Sequence, residues 1–260
     1  MKTRIGSLAG AMFMLCGAGV ARAESLDDIK TQIRDRLGKL KSVQAKMKMT
    51  QDMNMGGMQY KTLSTGMYEV QNKGERSPFH SEMVSKMETT MPGMEPQTRD
   101  GRLTSVSDGE FVWTLHEADN QRMATKTRPT EAMGIFGDTR FLDTLEKEHD
   151  LKVMKDDKFD GKSVWVIEAR PRKPVPMSPI VRTEHSFQKE TGLWVRAVAY
   201  DEKDKVISTT EVTDIKLNQA IPAERFVFKA PEGVQVQDMT QVPVERHVPA
   251  ATRPAGHSGK

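Results

Sequence analysis

Cysteine is almost missing from this chain: it occurs once in 260 residues, as Cys16. Its surroundings read as a leader. Lys2 and Arg4 precede an uncharged run from Ile5 to Ala21, and Ala21-Arg22-Ala23 places small residues at the two positions a signal peptidase reads, just before Glu24. The run, about 17 residues, falls short of the ~20 apolar residues that a membrane span requires. Leu15 stands where a lipid-modified cysteine has a small residue before it, so Cys16 reads as filler of the leader. Residues 1–23 are therefore expected to be a cleaved signal peptide. The exported chain then has no cysteine, which excludes a disulfide framework, a thiol nucleophile and a thiolate metal site.

Charge of one sign is lacking as well. Lys2, Arg4 and Arg22 would leave with the leader, bringing 39 basic residues to parity with 36 acidic ones. The basic excess of the whole sequence thus gives no argument for nucleic acid, which needs a concentrated basic patch. Catalytic motifs are missing too: there is no G-x-S-x-G, no H-E-x-x-H and no Gly-rich phosphate loop. His80, His116, His149 and His185 are isolated in sequence and read as strand or surface histidines, while His247 and His257 fall near the end. Asp156–Gly161 has no glutamate at calcium-loop spacing and reads as a hairpin turn. An enzyme is not expected, nor a bound metal or cofactor.

What the sequence does have is strand pattern. Ser25-Leu26-Asp27-Asp28 is a capping box, and Leu26, Ile29, Ile33, Leu37 and Leu40 follow at helical spacing. From Val43 the period becomes two: Val43, Ala45, Met47, Met49, Met53 and Met55 share one face, and Gly56-Gly57 turns the chain into a partner strand over residues 58–70. Further strands are expected near residues 79–91, 103–106, 111–117, 121–127, 151–155, 163–170, 181–189, 193–201, 206–217 and 226–229. Turn residues such as Asp108-Gly109, Asp160-Gly161 and Thr191-Gly192 stand between several of them. That regular spacing implies an antiparallel meander or barrel and not βαβ units. Residues 130–151 interrupt the series: Met133, Phe136, Phe141, Leu142 and Leu145 gather on one side, and Gly134 and Gly137 divide the segment into short helical pieces. The main domain is expected over 24–239, with a Pro-rich disordered tail over 240–260.

Methionine is the abundant residue. Ten of 18 lie between Met47 and Met94. They fit three readings: a packed core face, a deformable cavity wall, or a Cu(I) site made of thioethers. The alternation of Met47 to Met55 along one strand favours a face over a copper loop.

Two segments are more specific. Ser107-Asp108-Gly109-Glu110-Phe111-Val112-Trp113 is an Asp-Gly turn launching a strand with a large aromatic. Residues 221–238, Ile-Pro-Ala-Glu-Arg-Phe-Val-Phe-Lys-Ala-Pro-Glu-Gly-Val-Gln-Val-Gln-Asp, form an alternating Phe pair and a Pro-x-Gly turn. Together they resemble the LolA family of periplasmic outer-membrane lipoprotein carriers, and the order of elements agrees over most of residues 25–238. Arg76-Ser77-Pro78 matches that family's Arg-Pro pair only approximately, residues 86–100 read as an inserted Met/Pro-rich loop, and the tail is extra. The resemblance implies a mainly β (α+β) fold: an antiparallel incomplete β-barrel with short helices forming a lid over an apolar cavity. It further implies a monomeric periplasmic carrier whose partners are an acylated lipoprotein or lipid, an inner-membrane transporter and an outer-membrane acceptor. On this reading Met47, Met49, Met53, Met83, Met87, Trp113 and Leu115 line the sheet side of the cavity. Met133, Phe136, Phe141, Leu142 and Leu145 close it, and Arg76 latches the lid. An envelope-stress or lipid sensor of the same fold is the alternative, with a Met-rich copper-binding protein behind it.

Overall fold

The computed structural model describes residues 24–74, 76–129, 140–173 and 178–241; the expected signal peptide lies outside them, as do Met133, Phe136 and most of the tail. The described chain is dominated by one large sheet. Helix α1 (Leu26–Leu37) opens it, with Ser25 accepting from the Asp28 N–H and Asp28 reaching back to the Ser25 N–H, so the capping box forms. The middle of its apolar stripe goes inside: Ile29 and Ile33 are 0% exposed and Leu37 is 5%, while Leu26 and Leu40 pack partly buried against the core.

Six strands follow as a meander: β1 (Ser42–Met55), β2 (Met58–Gln71), β3 (Phe79–Thr90), β4 (Gln97–Ser107), β5 (Val112–Ala118) and β6 (Gln121–Thr127). Helix α2 (Arg140–Glu148) leads to a second series: β7 (His149–Val153), β8 (Asp157–Phe159), β9 (Lys162–Pro171), β10 (Arg182–Gln188), β11 (Trp194–Tyr200) and β12 (Val206–Leu217). The two series join where β1 pairs with β12, and a short β13 (Val236–Asp238) adds parallel to β6. The order is β13-β6-β5-β4-β3-β2-β1-β12-β11-β10-β9-β7, with β8 paired to β9. The ends of that order are not joined to each other, so the sheet is an open, incomplete barrel. Asp160 and Gly161, with φ of 49° and 73°, make the tight β8–β9 hairpin expected at that sequence.

Two expectations fail. Residues 86–100 are not an inserted loop: β3 and β4 pair continuously from Phe79 with Ser107 to Thr89 with Gln97, leaving only residues 91–96 between them. Residues 226–229 are not a strand, because Ala223–Phe226 forms a 3-10 turn after Pro222. Phe226 is buried there and Val227 exposed.

Antiparallel partners share a face, so the register separates the two sides of the sheet. One side carries Val43, Val70, Phe79, Trp165, Ile167 and Phe187, which form the core with Ile29, Ile33 and Leu142 from the helices. Helix α2 is tied to α1 by charge. Buried Lys30 meets Glu146 and lies 3.5 Å from Asp143, which also pairs with Arg34. Asn72 donates to the Leu37 and Leu40 carbonyls and fixes the end of α1 on the β2–β3 connection.

Candidate functional site

The helix-bearing face runs on past its packed core into a softer surface. Across the sheet, Met47 faces Gly66, Gly66 faces Met83, Met83 faces Leu103, and Leu103 faces His116. The next row is small: Met49, Ser64, Ser85, Gly101 and Ala118. Met53 and Met87 lie on this face further along their strands. These methionines are half-buried, and Leu103 is 40% exposed. Gly66 is required there, since a Cβ would stand 1.9 Å from the Glu82 carbonyl oxygen and 2.6 Å from the Met83 sulfur. The result is a shallow floor of thioethers and small side chains, with the core on one border.

Trp113 and Leu115 do not belong to that floor. Trp113 pairs with Val106, and Leu115 with Thr104, in rows that place both on the opposite face. Parity within a strand was readable, but not which parity faces the helices. On that face Phe228 of the C-terminal segment stacks on Trp113 with centroids 6.3 Å apart, and Leu115 is buried. Arg225 anchors the segment by donating to Glu69 at 2.7 Å and to Nδ1 of His80 at 2.8 Å. Glu69 and His80 are both buried. Burial, and next the Arg225 charge, hold the His80 pKa below its ordinary value. That acceptor role at Nδ1 makes His80 a neutral ring with its proton on Nε2.

The expected lid residues divide similarly. In α2, Leu142 and Leu145 are buried, Leu142 within the core, and Phe141 packs at its border. Phe141 meets His185 edge to face at 5.6 Å. His185 is enclosed on the helix-bearing side, with Trp194 Nε1 donating to its Nδ1 at 3.2 Å and Thr183 Oγ1 3.0 Å from Nε2. Burial, helped by nearby His149, pushes its pKa down to about 4. Arg76 is exposed at the turn before β3, its backbone lying against Gly109, whose Cβ would come 2.4 Å from the Arg76 carbonyl.

A second feature, invisible in the sequence, is a fork in the sheet. Strand β12 pairs with β11 only from Val206 to Glu211, yet runs on beside β1 to Leu217. Beyond Glu211 the β12 chain carries an extra residue relative to β1, with Asp214 at φ 51°, and at Val195 the β10–β11 register shifts. The sheet therefore splits, and a cavity of about 960 Å³ opens in the split. One wall is β1, β2 and the end of β12, with Met47, Gly66, Val212 and Ile215; the other holds Val195, Gln188 and Phe159. Lys46, Lys48, Lys162 and Lys216 also line it. Met47 is the one expected wall residue that this cavity includes.

The geometry defines an open β-barrel with helices packed on one face and a Met-bearing surface beside them. No protein-family model matches the chain, and no curated protein sequence does. Among solved structures it is similar to an uncharacterized conserved protein of Thermus thermophilus, at 14% identity and a TM-score of 0.48, over 83% of this chain and 99% of that one. It is also similar to the MucA/MucB complex structure of Pseudomonas aeruginosa, at 13% identity and a TM-score of 0.43; 78% of this chain matches, spanning 60% of that chain. A LolA superfamily protein of Nitrosomonas europaea is a further likeness, at 11% identity and a TM-score of 0.31, over 79% of this chain and 99% of that one.

Proposed function

We propose that this protein is a periplasmic carrier that shelters the acyl chains of a lipid or lipoprotein against the helix-bearing face of its open sheet. The observation that carries the reading is the row Met47–Gly66–Met83–Leu103, which continues the buried core as a half-exposed apolar floor. Water leaves such a surface readily, and each methylene of a guest buried on it contributes about 0.8 kcal/mol. Unbranched methionines adapt to chains of different length and saturation better than β-branched side chains do. The reading needs no catalytic group. A cleaved signal peptide over residues 1–23 would deliver the chain to the periplasm, where acylated cargo must be screened from water between two membranes.

Equilibrium titration with a fluorescent acyl amphiphile tests this. Wild-type protein should bind it, and Met83→Glu and Met87→Glu should each weaken binding at least about ten-fold, because a charge would meet the hydrocarbon. Wild-type affinity in both variants, with melting temperatures unchanged, would remove the helix-bearing face as the binding surface.

A further inference from the structure

We infer that the fork cavity selects amphiphiles with an anionic head group, an inference that rests on the carrier reading and narrows its cargo. The cavity has two chemistries, sorted by the register. Ala45, Met47 and Val212 belong to the helix-bearing side of β1 and β12; Ala45 and Val212 are buried in the core, while half-buried Met47 leads directly into the methionine floor. Lys46, Lys48 and Lys216 alternate with them and so belong to the other side, as does Lys162 on β9. An unbroken sheet would keep the two sides apart. Here β12 has left β11, and one opening touches both.

The charges along the opening are not in balance. Asp214 engages Lys46 at 2.7 Å, and Glu82 lies 3.5 Å from Arg102. Lys216 also acts on Asp214, and Lys48 lies opposite Glu211 across the β1–β12 pair, so four lysines of the lining stand against three acids, Glu82, Asp160 and Asp214, of which Glu82 is already beside Arg102. Lys48, Lys162 and Lys216 are exposed, so their stems can lie along the apolar wall while the ammonium groups stay in water, where a head group would also stay. The backbone is shaped for the opening: Asp214 takes a left-handed φ of 51° at the bulge, and Gly66 lets β3 approach β2 closer than any side chain would allow. An acyl chain on the Met47 side with a phosphate or carboxylate head among Lys48, Lys162 and Lys216 satisfies both chemistries. A neutral or cationic head satisfies one.

The test compares fluorescent amphiphiles that share one acyl chain and carry a phosphate, a phosphocholine or a trimethylammonium head. Binding is measured on the full exported chain and on the Lys48→Gln/Lys162→Gln/Lys216→Gln variant. The phosphate probe should bind on the order of ten-fold tighter than the phosphocholine probe, and the preference should shrink with added salt. The triple variant should lose the preference while keeping its affinity for the phosphocholine probe. Equal affinity of the wild type for all three probes would overturn the head-group assignment and leave the carrier reading standing. A preference that persists in the triple variant would overturn the assignment to these lysines. Failure of every probe to bind would remove both.

Discussion

His185 gives the sharpest prediction, since its environment fixes both the sign and the size of an acid effect. The ring is buried, receives the Trp194 N–H on Nδ1 and faces Thr183 through Nε2. The Phe141 ring closes over it, and burial, with His149 nearby, disfavours the protonated ring. A proton on Nδ1 would point a donor at the Trp194 donor and place a cation under α2. The pKa consequently falls from 6.5 to about 4. A base whose pKa is depressed by folding binds its proton more readily when unfolded, so stability is full above pH 6.5 and falls as pH drops towards 4. Integrated over that window, a shift of this size corresponds to about 3 kcal/mol. The His185→Gln variant keeps an acceptor for Trp194 and a donor for Thr183 but cannot titrate. In urea titrations from about pH 7.5 down to about pH 4, wild type should lose up to about 3 kcal/mol more than the variant, at no more than about 1.4 kcal/mol per pH unit. Parallel curves for the two proteins would refute the account of His185 as a neutral, enclosed ring.

Other positions have equally definite outcomes. Gly66→Ala puts a methyl group 1.9 Å from the Glu82 carbonyl oxygen, so β3 must move; urea titration should show a loss of about 1–3 kcal/mol, and no loss would mean that the close approach of β2 and β3 is wrong. Arg225→Ala leaves the Glu69 carboxylate buried without its 2.7 Å partner, and a cost of about 2 kcal/mol or more is expected. The same variant should raise the pKa of His80, because the Arg225 charge is among the groups lowering it, and an NMR titration of the ring reads that directly. Ser25→Ala removes the oxygen that caps α1 and should cost about 1 kcal/mol.

How far the sequence could be read depended on the range of the interaction involved. Helix α1 was legible because its cap and its stripe at Leu26, Ile29, Ile33 and Leu37 are local. Strand β6 was read at residues 121–127, and its bounds in the structure are the same. The 86–100 segment was misread because Met91, Pro92, Gly93 and Pro96 imitate a loop; the pairing of Lys86 with Asp100 and Met87 with Arg99 carries the sheet up to a short connection. Phe226 and Phe228 alternate as in a strand, yet Arg225 is drawn to Glu69, 156 residues earlier, and the chain turns. No local signal reports a partner at that distance. The fork was beyond reach for the same reason, since it comes from where β12 stops pairing with β11 and not from any residue type.

The openness of the sheet bears on how a carrier could release what it holds. A chain of a dozen or more methylenes fully enclosed at about 0.8 kcal/mol each would be held too tightly to hand over. The methionine floor is half-exposed, with Leu103 at 40% exposure, so a guest on the proposed floor would still meet water and gain only part of that energy. Helix α2, in contrast, is fastened: Leu142 is in the core, and Asp143 and Glu146 are tied to Arg34 and Lys30 of α1. On the proposed carrier reading, cargo would load and unload across the open floor without unfolding a helix. Joining α1 to α2 through Arg34→Cys and Asp143→Cys, a pair of half-exposed positions that face each other across the helices, with a short bis-maleimide should therefore leave transfer of an acyl probe between protein and vesicles within about two-fold of the uncross-linked rate. A much larger fall, on the order of a hundred-fold, would show that α2 must leave the sheet for cargo to pass.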